Sequence, residues 1–465
     1  MGMRGRIGSA LAALVVLAGA GPALAQVSAG ASTSTAPAAG FVEQARAAVQ
    51  RYADAGTFSG AVLVTRDGKP VFREAFGLGG RAPDVKASAD TVYYIGSLTK
   101  QFTAAAVLQL ADAGKLSVDD PVSKYYAKAP AAWSKITIKH LLSHRGGIPD
   151  WPKFLPLVSV EATKDHTPEQ LIEVTRDMPL EFEPGTKYAY SNSGYAVLGY
   201  IIEKASGQSY ADYVQGHIFT PLGMTHSGYG SNAKPPKGLA EGFDMSTGAP
   251  KDAAPISMTV PYAAGALYST VDDMSVWDRA LSADKVMSKA SREQMETNQG
   301  AAYGFGVQVI AGPKGHPSIR HSGAMNGFEG CFYRFVQDGM TIVVLGNTRP
   351  GPVTQIAEEL MWLYFGPPAL PPPLVEVQVK SDVLARYAGV YELQPGVDVT
   401  LSVKDGRLYS QATGQPRFTL IAVSDREFRF PPANIKAEFP PGDGPAPGFT
   451  LTQGGAPREV KRKAN

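Results

Sequence analysis

Residues 95–102 read Ile-Gly-Ser-Leu-Thr-Lys-Gln-Phe, which places a serine three residues before a lysine at the start of a helical pattern. An extended pattern precedes this stretch, and helix-forming residues follow from Gln101. Residues i and i+3 of a helix lie about one turn apart on one face, so the amine of Lys100 can reach the hydroxyl of Ser97. A serine hydroxyl becomes a nucleophile when a basic group takes its proton. We therefore predict Ser97 and Lys100 as catalytic residues.

The serine-lysine spacing alone does not identify a catalytic serine. The chain contains it again at Ser231 with Lys234 and at Ser282 with Lys285. What distinguishes Ser97 is its position at a helix start, where backbone N–H groups and the helix dipole stabilise a negatively charged oxygen. The backbone N–H of Ser97 is therefore predicted as one donor of an oxyanion hole.

A second motif, Tyr190-Ser191-Asn192, lies just before the helical pattern that starts near Gly194. The ordinary pKa of tyrosine is about 10, so tyrosine acts as a base near neutral pH when cations stabilise its phenolate. Lys100 would supply that charge, and Tyr190 is predicted as the third catalytic residue. The amide of Asn192 is predicted to contact a substrate carbonyl. The alternative is that Tyr190 packs in a loop and Asn192 caps the next helix.

A third motif, His321-Ser322-Gly323, follows a predicted strand near residues 318–320. These three residues are predicted to bind substrate, because the glycine permits close backbone approach. The backbone N–H of Ala324 is predicted as the second oxyanion donor. By itself, this motif is weak evidence for a substrate-binding site. The prediction depends on the order of the three motifs, each of which stands at the boundary of a predicted element.

The three motifs belong to a larger ordered set of segments: Ile95 to Phe102, Leu141 to Pro149, Tyr190 to Tyr195, Pro221 to Met224, Gly265 to Thr270 and His321 to Gly323. Together they resemble the serine β-lactamase and penicillin-binding protein superfamily. Within it, the likeness is to class C β-lactamase-like hydrolases, D-amino-acid peptidases and family VIII esterases. The resemblance covers roughly residues 41–366. It implies an α+β fold, in which helices flank a β-lactamase/DD-peptidase-like antiparallel sheet and a helical subdomain is inserted, and a serine hydrolase that forms an acyl-enzyme.

One departure concerns position 321, where β-lactamases of this group typically carry the lysine of Lys-Thr-Gly. A lysine is a permanent cation for the carboxylate of a penicillin or a D-alanyl peptide, whereas a histidine is mostly neutral at pH 7. The departure favours hydrolysis of uncharged esters or amides, as in esterases and D-amino-acid peptidases. Two alternatives stay open. One is a β-lactamase or D-alanyl-D-alanine carboxypeptidase, and the other is a non-catalytic protein whose C-terminal barrel binds a ligand.

The N-terminus carries two arginines, an apolar run at residues 7–20 and the small-residue sequence Ala23-Leu24-Ala25. These are the three parts of a secretory signal peptide. The apolar run is shorter than the roughly 20 residues that span a bilayer. Residues 1–25 are therefore predicted to be cleaved, which implies export to the periplasm or the medium and no stable membrane anchor.

The remaining chain divides by composition and pattern. A flexible leader is predicted at 26–40, the hydrolase domain at 41–366, a proline-rich linker at 367–379 and a small β-barrel at 380–465. A helical pattern at 41–54 and strand patterns at 59–65 and 70–76, joined by a turn at Asp67-Gly68, open the hydrolase part. Strand patterns at 303–310, 331–336 and 340–345 and a helical pattern at 353–364 close it, so one sheet is predicted to form from both ends of this part. The last region resembles the lipocalin-like extension that some of these proteins carry.

Composition excludes several function classes. The net charge of +2 arises from 44 basic and 42 acidic residues spread along the chain, so no nucleic-acid partner is predicted. His140 and His144 have a helical spacing that can hold zinc, but no glutamate lies between them, and we predict a structural role and no metal. No glycine-rich phosphate loop follows a strand, and no cofactor is predicted. The predicted partner is a small-molecule or peptide substrate.

Overall fold

The computed structural model describes residues 37, 40–82, 85–247, 250–312, 315–366, 376–394, 397–412, 417–430, 435–453 and 457–463. The predicted signal peptide, nearly all of the predicted leader and residues 367–375 of the predicted linker lie outside the described residues. The chain divides into compact units, with Gln26–Pro368 in one and Ala369–Asn465 in another.

The α-helices that the structure describes lie at α1 (Phe41–Asp54), α2 (Thr99–Asp112), α3 (Ile138–Leu142), α4 (Pro168–Arg176), α5 (Asn192–Ser206), α6 (Tyr210–Val214), α7 (Thr220–Leu222), α8 (Tyr262–Gly265), α9 (Val271–Ser282), α10 (Lys289–Met295), α11 (Val353–Phe365) and α12 (Ser381–Tyr387). No helix among the described residues is long and apolar enough to cross a bilayer.

The β-strands of the larger unit are β1 (Gly60–Arg66), β2 (Lys69–Phe76), β3 (Tyr93–Tyr94), β4 (Gly228–Tyr229), β5 (Phe243–Asp244), β6 (Lys251–Asp252), β7 (Leu267–Ser269), β8 (Gln308–Ile310), β9 (Ser318–Met325), β10 (Phe328–Phe335), β11 (Met340–Gly346) and β12 (Thr348–Arg349). Six of them form the central sheet in the order β2-β1-β11-β10-β9-β8. Every neighbouring pair in this sheet is antiparallel. The sheet thus combines strands from both ends of the unit, as predicted.

Side chains of β1 alternate between the two faces of the sheet, as the strand period requires. Val62 and Val64 pack with α1 and α11, whereas Ala61 and Leu63 pack with the helices inserted between β2 and β8. Helices therefore flank both faces of an antiparallel sheet, and the predicted α+β β-lactamase-like architecture is confirmed.

Local sequence explains several boundaries of the larger unit. The hairpin between β1 and β2 turns at Asp67 and Gly68, both with positive φ (51° and 71°), which aspartate and glycine tolerate best. Helix α5 starts after Ser191, whose hydroxyl accepts a hydrogen bond from the N–H of Gly194, and ends at Gly207 with a φ of 75°. The alternative that Asn192 caps this helix is wrong, because Ser191 is the cap.

Two sequence-based boundaries differ from the structure. The pattern at residues 303–310 predicts one strand, but the strand begins at Gln308 because residues 301–302 have positive φ and Tyr303 turns inward. The helix predicted from Gln101 starts earlier, with a 3-10 turn at Gly96–Leu98 that runs directly into α2. The second difference places Ser97 in the 3-10 turn itself.

The smaller unit contains a closed β-barrel of eight strands, which confirms the predicted C-terminal barrel. Its strands are β13 (Gly389–Gln394), β14 (Val397–Lys404), β15 (Arg407–Ala412), β16 (Phe418–Ala422), β17 (Glu427–Phe430), β18 (Ile435–Glu438), β19 (Gly448–Gln453) and β20 (Arg458–Arg462). Aromatic side chains fill its interior, where Tyr387 stacks on Phe439 with ring centroids 3.9 Å apart and Tyr391 packs edge-on against Phe449.

Candidate active site

The predicted serine-lysine pair meets at the start of α2. Ser97 lies in the 3-10 turn and Lys100 in the first turn of the helix, and the Lys100 Nζ lies 3.0 Å from the Ser97 Oγ. A 3-10 turn aligns residues i and i+3 on one side, which preserves the contact that the sequence spacing predicts. The serine is partly exposed, while the lysine is fully buried.

The lysine amine has three protein partners. Besides Ser97, the Nζ donates to the Asn192 Oδ1 at 2.8 Å and to the backbone oxygen of Ala264 at 2.9 Å. Burial lowers the pKa of Lys100 to about 7, and the nearby charge of Asp150 opposes this shift. A neutral amine, which offers a lone pair, is therefore abundant near pH 7, and its closest hydroxyl is that of Ser97.

Tyr190 completes the cluster around the serine. Its hydroxyl interacts with the Ser97 side chain, and its ring centroid lies 4.7 Å from the Lys100 Nζ. Burial raises the pKa of Tyr190 well above its ordinary value, although the interaction with Ser97 opposes the shift. Burial therefore favours the neutral phenol of Tyr190, and it also favours the neutral amine of Lys100, the group that was expected to stabilise a phenolate. Tyr190 is placed to relay a proton as a neutral phenol.

Asn192 lies beneath the serine. Its Oδ1 accepts from Lys100, its backbone N–H donates to the Asp150 Oδ1 at 2.6 Å, and its Nδ2 lies 3.3 Å from the Asp150 Oδ2. The Asn192 amide that was predicted to contact substrate is thus held between protein groups. Sequence reasoning missed Asp150, although it directly follows the family-like segment that ends at Pro149.

A cavity of about 320 Å³ opens above the serine. It brings together the nucleophile, Tyr190 and the whole third motif. The described residues that line it are Ser97, Tyr190, Gln308, His321, Ser322, Gly323, Ala324, Glu329, Gly330, Val353 and Thr354. Lys100 and Asn192 are not among them and lie behind Ser97. The three motifs, which are far apart in sequence, therefore share one concave site, which is the usual location for small-molecule chemistry.

Glycines let β9 lie directly against the turn that carries Ser97. A Cβ at Gly323 would stand 2.0 Å from the backbone oxygen of Ile95 and 3.0 Å from the backbone nitrogen of Ser97. A Cβ at Gly96, where φ is 51°, would stand 2.6 Å from the backbone nitrogen of Ala324. The two predicted oxyanion donors, the N–H groups of Ser97 and Ala324, therefore lie on neighbouring segments. The close approach at Gly323 is made by the protein's own backbone.

Two buried histidines are joined through a tyrosine. The backbone N–H of Ser191 donates to the His144 Nδ1 at 3.1 Å, and the His144 Nε2 lies 3.1 Å from the Tyr303 hydroxyl. That hydroxyl lies 2.9 Å from the His321 Nε2, and the His321 Nδ1 contacts the backbone oxygen of Ser322. Tyr303 thus ties the loop that holds the second motif to the strand that holds the third.

The groups at the two ends of this series of hydrogen bonds determine which atom donates in each bond. The Ser191 N–H makes the His144 Nδ1 an acceptor, so the His144 Nε2 donates to Tyr303 and the hydroxyl of Tyr303 donates to His321. Burial lowers the pKa of His144, and it lowers the pKa of His321 to about 3. Both rings are therefore neutral at pH 7. The ring of His321 lines the cavity, but both of its nitrogens are engaged by protein groups.

The other histidine of the candidate zinc pair contributes to a helix cap. The His140 Nδ1 accepts from the backbone N–H of Thr137, and His144 lies beyond the end of α3 with a φ of 57°. The described part of the chain contains no group of three or more His, Cys, Asp or Glu side chains arranged to hold a metal ion.

Tyr303→Phe is expected to lower the free energy of unfolding by about 1–3 kcal/mol, because it leaves a buried donor on His144 and a buried acceptor on His321 unpaired. Urea denaturation measures this loss. Tyr188→Phe is the matched control, because the Tyr188 ring lies beside His144 and Tyr303 and no hydrogen bond of its hydroxyl is found within the described residues. Equal losses of unfolding free energy in the two variants would show that the hydrogen bonds of Tyr303 to His144 and His321 do not stabilise the fold.

The chain is similar to known proteins over most of its length. Residues 45–364 match the β-lactamase family, and residues 375–457 match a domain of unknown function, DUF3471. The chain is 27% identical over 431 residues to penicillin-binding protein 4* of Bacillus subtilis (strain 168), which covers 87% of this chain and 95% of that protein. It is 33% identical over 312 residues to a putative penicillin-binding protein of the same strain, over 65% and 75% of the two chains.

A solved structure is similar over most of the chain. The octameric penicillin-binding protein homologue from Pyrococcus abyssi aligns with a TM-score of 0.65 and 26% identity, over 90% of this chain and 100% of that chain.

Proposed function

The chain belongs to the β-lactamase family of serine hydrolases, and we propose that Ser97 forms an acyl-enzyme with uncharged ester or amide substrates. The observation that carries this proposal is the contact of 3.0 Å between the Ser97 Oγ and the Lys100 Nζ at the base of the cavity. A lysine whose pKa burial lowers to about 7 is a suitable acceptor for the serine proton near neutral pH.

Acylation proceeds by a balanced proton transfer. As the Ser97 Oγ attacks the carbonyl carbon, its proton passes to the neutral Lys100 Nζ. The backbone N–H groups of Ser97 and Ala324 hold the oxyanion. When the intermediate collapses, the Tyr190 hydroxyl protonates the leaving oxygen or nitrogen and receives a proton back from the Lys100 ammonium. Water then attacks the acyl carbon and gives its proton to the Lys100 amine. As the second intermediate collapses, that proton passes to the Ser97 Oγ, and the acid product leaves. Every step uses side chains and backbone of this chain.

The charges around the cavity support uncharged substrates. None of the described residues that line it is lysine or arginine. His321, which stands where a permanent cation would bind a substrate carboxylate, is neutral because burial lowers its pKa to about 3. A penicillin or a D-alanyl peptide would therefore bring a carboxylate to a site whose lining supplies no cation for it.

A second candidate is a D-alanyl-D-alanine carboxypeptidase or β-lactamase. The relatives favour it, because a protein that is 33% identical over 312 residues is named a putative penicillin-binding protein. Fluorescent penicillin separates the two candidates. Stable labelling or rapid turnover of penicillin through Ser97 would favour the cell-wall activity, whereas no reaction with penicillin alongside ester turnover supports the first.

The third candidate, a non-catalytic protein with a ligand in the barrel, has less support. The cavity found among the described residues of the barrel measures about 10 Å³ and is lined by Leu384, Leu408 and Phe428, among others. That volume is about the minimum for one water molecule. Aromatic side chains fill the interior that a ligand would need.

Export and the domain boundaries are further parts of the proposal. Residues 1–25 have the three regions of a signal peptide, so the mature chain is proposed to begin at Gln26 in the periplasm or the medium. The hydrolase domain is proposed at 41–366, followed by a linker at 367–379 and the barrel at 380–465. N-terminal sequencing of the exported protein tests the cleavage site.

Intact-mass spectrometry tests the acyl-enzyme directly. After exposure to p-nitrophenyl esters, D-amino-acid amides and penicillins, we expect the protein mass to rise by one acyl group for a reactive ester or amide. The added mass should map to the peptide that contains Ser97. Turnover with no acylated species and no dependence on Ser97 would contradict the proposal, and acylation by penicillin alone would favour the second candidate.

A further inference from the structure

The cavity has a carboxylate that the mechanism does not use. Glu329 lies on β10 and lines the same cavity as Ser97. It pairs directly with Ala324 across the two strands, so the Glu329 side chain lies on the same face of the sheet as that of Ala324, the face opposite Gly323. The cavity is lined by residues of both faces. The Glu329 side chain is 20% exposed, so it is accessible from the cavity yet largely shielded from bulk water.

The protein satisfies this carboxylate incompletely. The backbone N–H of Gly351 donates to the Glu329 Oε2 at 3.3 Å. The Nε of Arg349 lies 3.8 Å from the Oε1, which is beyond hydrogen-bonding distance, and the Arg349 side chain is 40% exposed. Within the described residues no donor bonds the Oε1. One carboxylate oxygen is therefore available to a donor that enters the cavity.

Glu329 also determines the net charge of the cavity lining. The other titratable side chains that line it are Tyr190 and His321, and both are uncharged at pH 7 because burial raises the pKa of the tyrosine and lowers that of the histidine. The neighbouring Cys331 is a neutral thiol, since burial raises its pKa to about 12. Burial also raises the pKa of Glu329 to about 7, against the charge of Arg349. Above pH 7 the lining is therefore negative.

We propose that Glu329 is a specificity-determining residue, which makes this site favour esters or amides that carry a positively charged amino group over those that carry a carboxylate. A substrate ammonium beside the Oε1 gains a charge-assisted hydrogen bond or ion pair in a shielded site. A substrate carboxylate meets a like charge there. The inference rests on the proposed function, because it names the substrate class of the same serine site.

The competing interpretation is that Glu329 simply caps the loop before α11 through Gly351. A cap explains the hydrogen bond to the Oε2, but it leaves the cavity lining without any preference for substrate charge. The two interpretations therefore differ in one measurable quantity, which is the ratio of rates for substrates that differ in charge alone.

The experiment compares p-nitrophenyl esters of equal shape on the full chain. One ester carries a γ-trimethylammoniobutyryl group, the second is its neutral isostere with carbon in place of nitrogen, and the third carries a glutaryl group with a free carboxylate. Acetylcholine and its carbon isostere place the same charge on the alcohol side. For at least one pair, we expect kcat/KM at pH 8 to be about fivefold to tenfold higher for the cationic member than for its isostere. Among the three acyl esters, kcat/KM should be lowest for the glutaryl ester.

The pH dependence of the ratio gives a second readout. Protonation of Lys100 slows catalysis equally for both members of a pair, but its positive charge repels only the cationic member, so the pH dependence of the ratio is compared between the wild type and Glu329→Gln. The quaternary ammonium does not titrate, so the preference for it should rise as pH increases through about 7, where the Glu329 carboxyl loses its proton. The thiol of Cys331 near Glu329 stays neutral in this range, because burial raises its pKa to about 12.

Glu329→Gln should reduce the ratio to near one, and Glu329→Asp should retain part of it. Glu358→Gln removes an equal charge from an exposed site on α11 outside the cavity lining and should leave the ratio as in the wild type. If the Gln variant fails to fold, inhibition of the wild type supplies the test: choline should inhibit neutral-ester hydrolysis more strongly than its carbon isostere.

The inference is overturned if the wild type shows no charge preference, if it prefers the glutaryl ester because Arg349 binds the carboxylate, or if the Gln variant keeps the full ratio. These failures are distinct from failure of the proposed function. If ester hydrolysis depends on Ser97 while the ratio is flat, the serine mechanism stands and the role of Glu329 does not. If hydrolysis persists without Ser97, the proposed function fails first.

Discussion

Ser97→Ala is expected to lower kcat/KM for a neutral p-nitrophenyl ester by about 10⁴-fold. The substitution removes the atom that attacks the carbonyl, so the covalent route is lost. The cavity, the N–H groups of Ser97 and Ala324, and the Lys100 amine all stay in place. Any residual rate then reports binding and oxyanion stabilisation alone. Steady-state kinetics measures the loss, and intact-mass spectrometry should show no acyl group on the variant.

The controls for this prediction come from the chain itself. Ser231 has the same spacing to Lys234 that Ser97 has to Lys100, but its hydroxyl accepts a hydrogen bond from the Lys234 backbone in a loop outside the cavity lining. Ser231→Ala should therefore retain wild-type kinetics. Full ester hydrolysis by Ser97→Ala, with unchanged dependence on substrate concentration, would end the assignment of Ser97 as the nucleophile.

Lys100→Met is expected to lower kcat/KM by about 10³-fold, because it removes the proton acceptor while retaining a side chain of similar length. The wild-type rate should depend on pH in a matching way. Burial lowers the pKa of Lys100 to about 7, and its ammonium form cannot accept the serine proton. The value of kcat/KM should therefore fall as pH decreases below about 7, and the residual rate of the variant should lack this limb.

Lys285→Met serves as the control, since Lys285 is exposed and belongs to another serine-lysine pair of the same spacing. It should leave both the rate and the pH profile unchanged. A wild-type profile that is flat between pH 6 and 8, or a Lys100→Met variant that keeps the acid limb, would show that another group accepts the proton.

Much of the local structure was predictable because short-range physics determines it. Helix α1 occupies the residues that the apolar periodicity predicts, and Asp67-Gly68 forms the predicted hairpin turn because both residues tolerate positive φ. The contact between Ser97 and Lys100 was equally accessible, since three residues of helical or 3-10 geometry suffice to bring the two side chains together.

Other features depend on contacts that no local pattern encodes. The strand pattern at residues 303–307 fails because Tyr303 leaves the sheet edge to join His144 with His321. Strand patterns at residues 397–403, 407–411, 418–423 and 449–452 predict β14, β15, β16 and β19. No such pattern predicts the barrel strands β13, β17, β18 and β20, which are defined by pairing with their neighbours.

The sequence by itself determined the candidate nucleophile, the order of the motifs, the sheet built from both ends of the unit and the presence of a C-terminal barrel. The tertiary structure alone decided the protonation states and the shape of the site. Burial by distant segments lowers the pKa of Lys100 and raises that of Tyr190, which favours the uncharged form of each side chain. Pairing of β9 with β10 brings Glu329 to the cavity of Ser97. Both effects arise from groups far apart in sequence, because desolvation depends on everything that packs around a side chain.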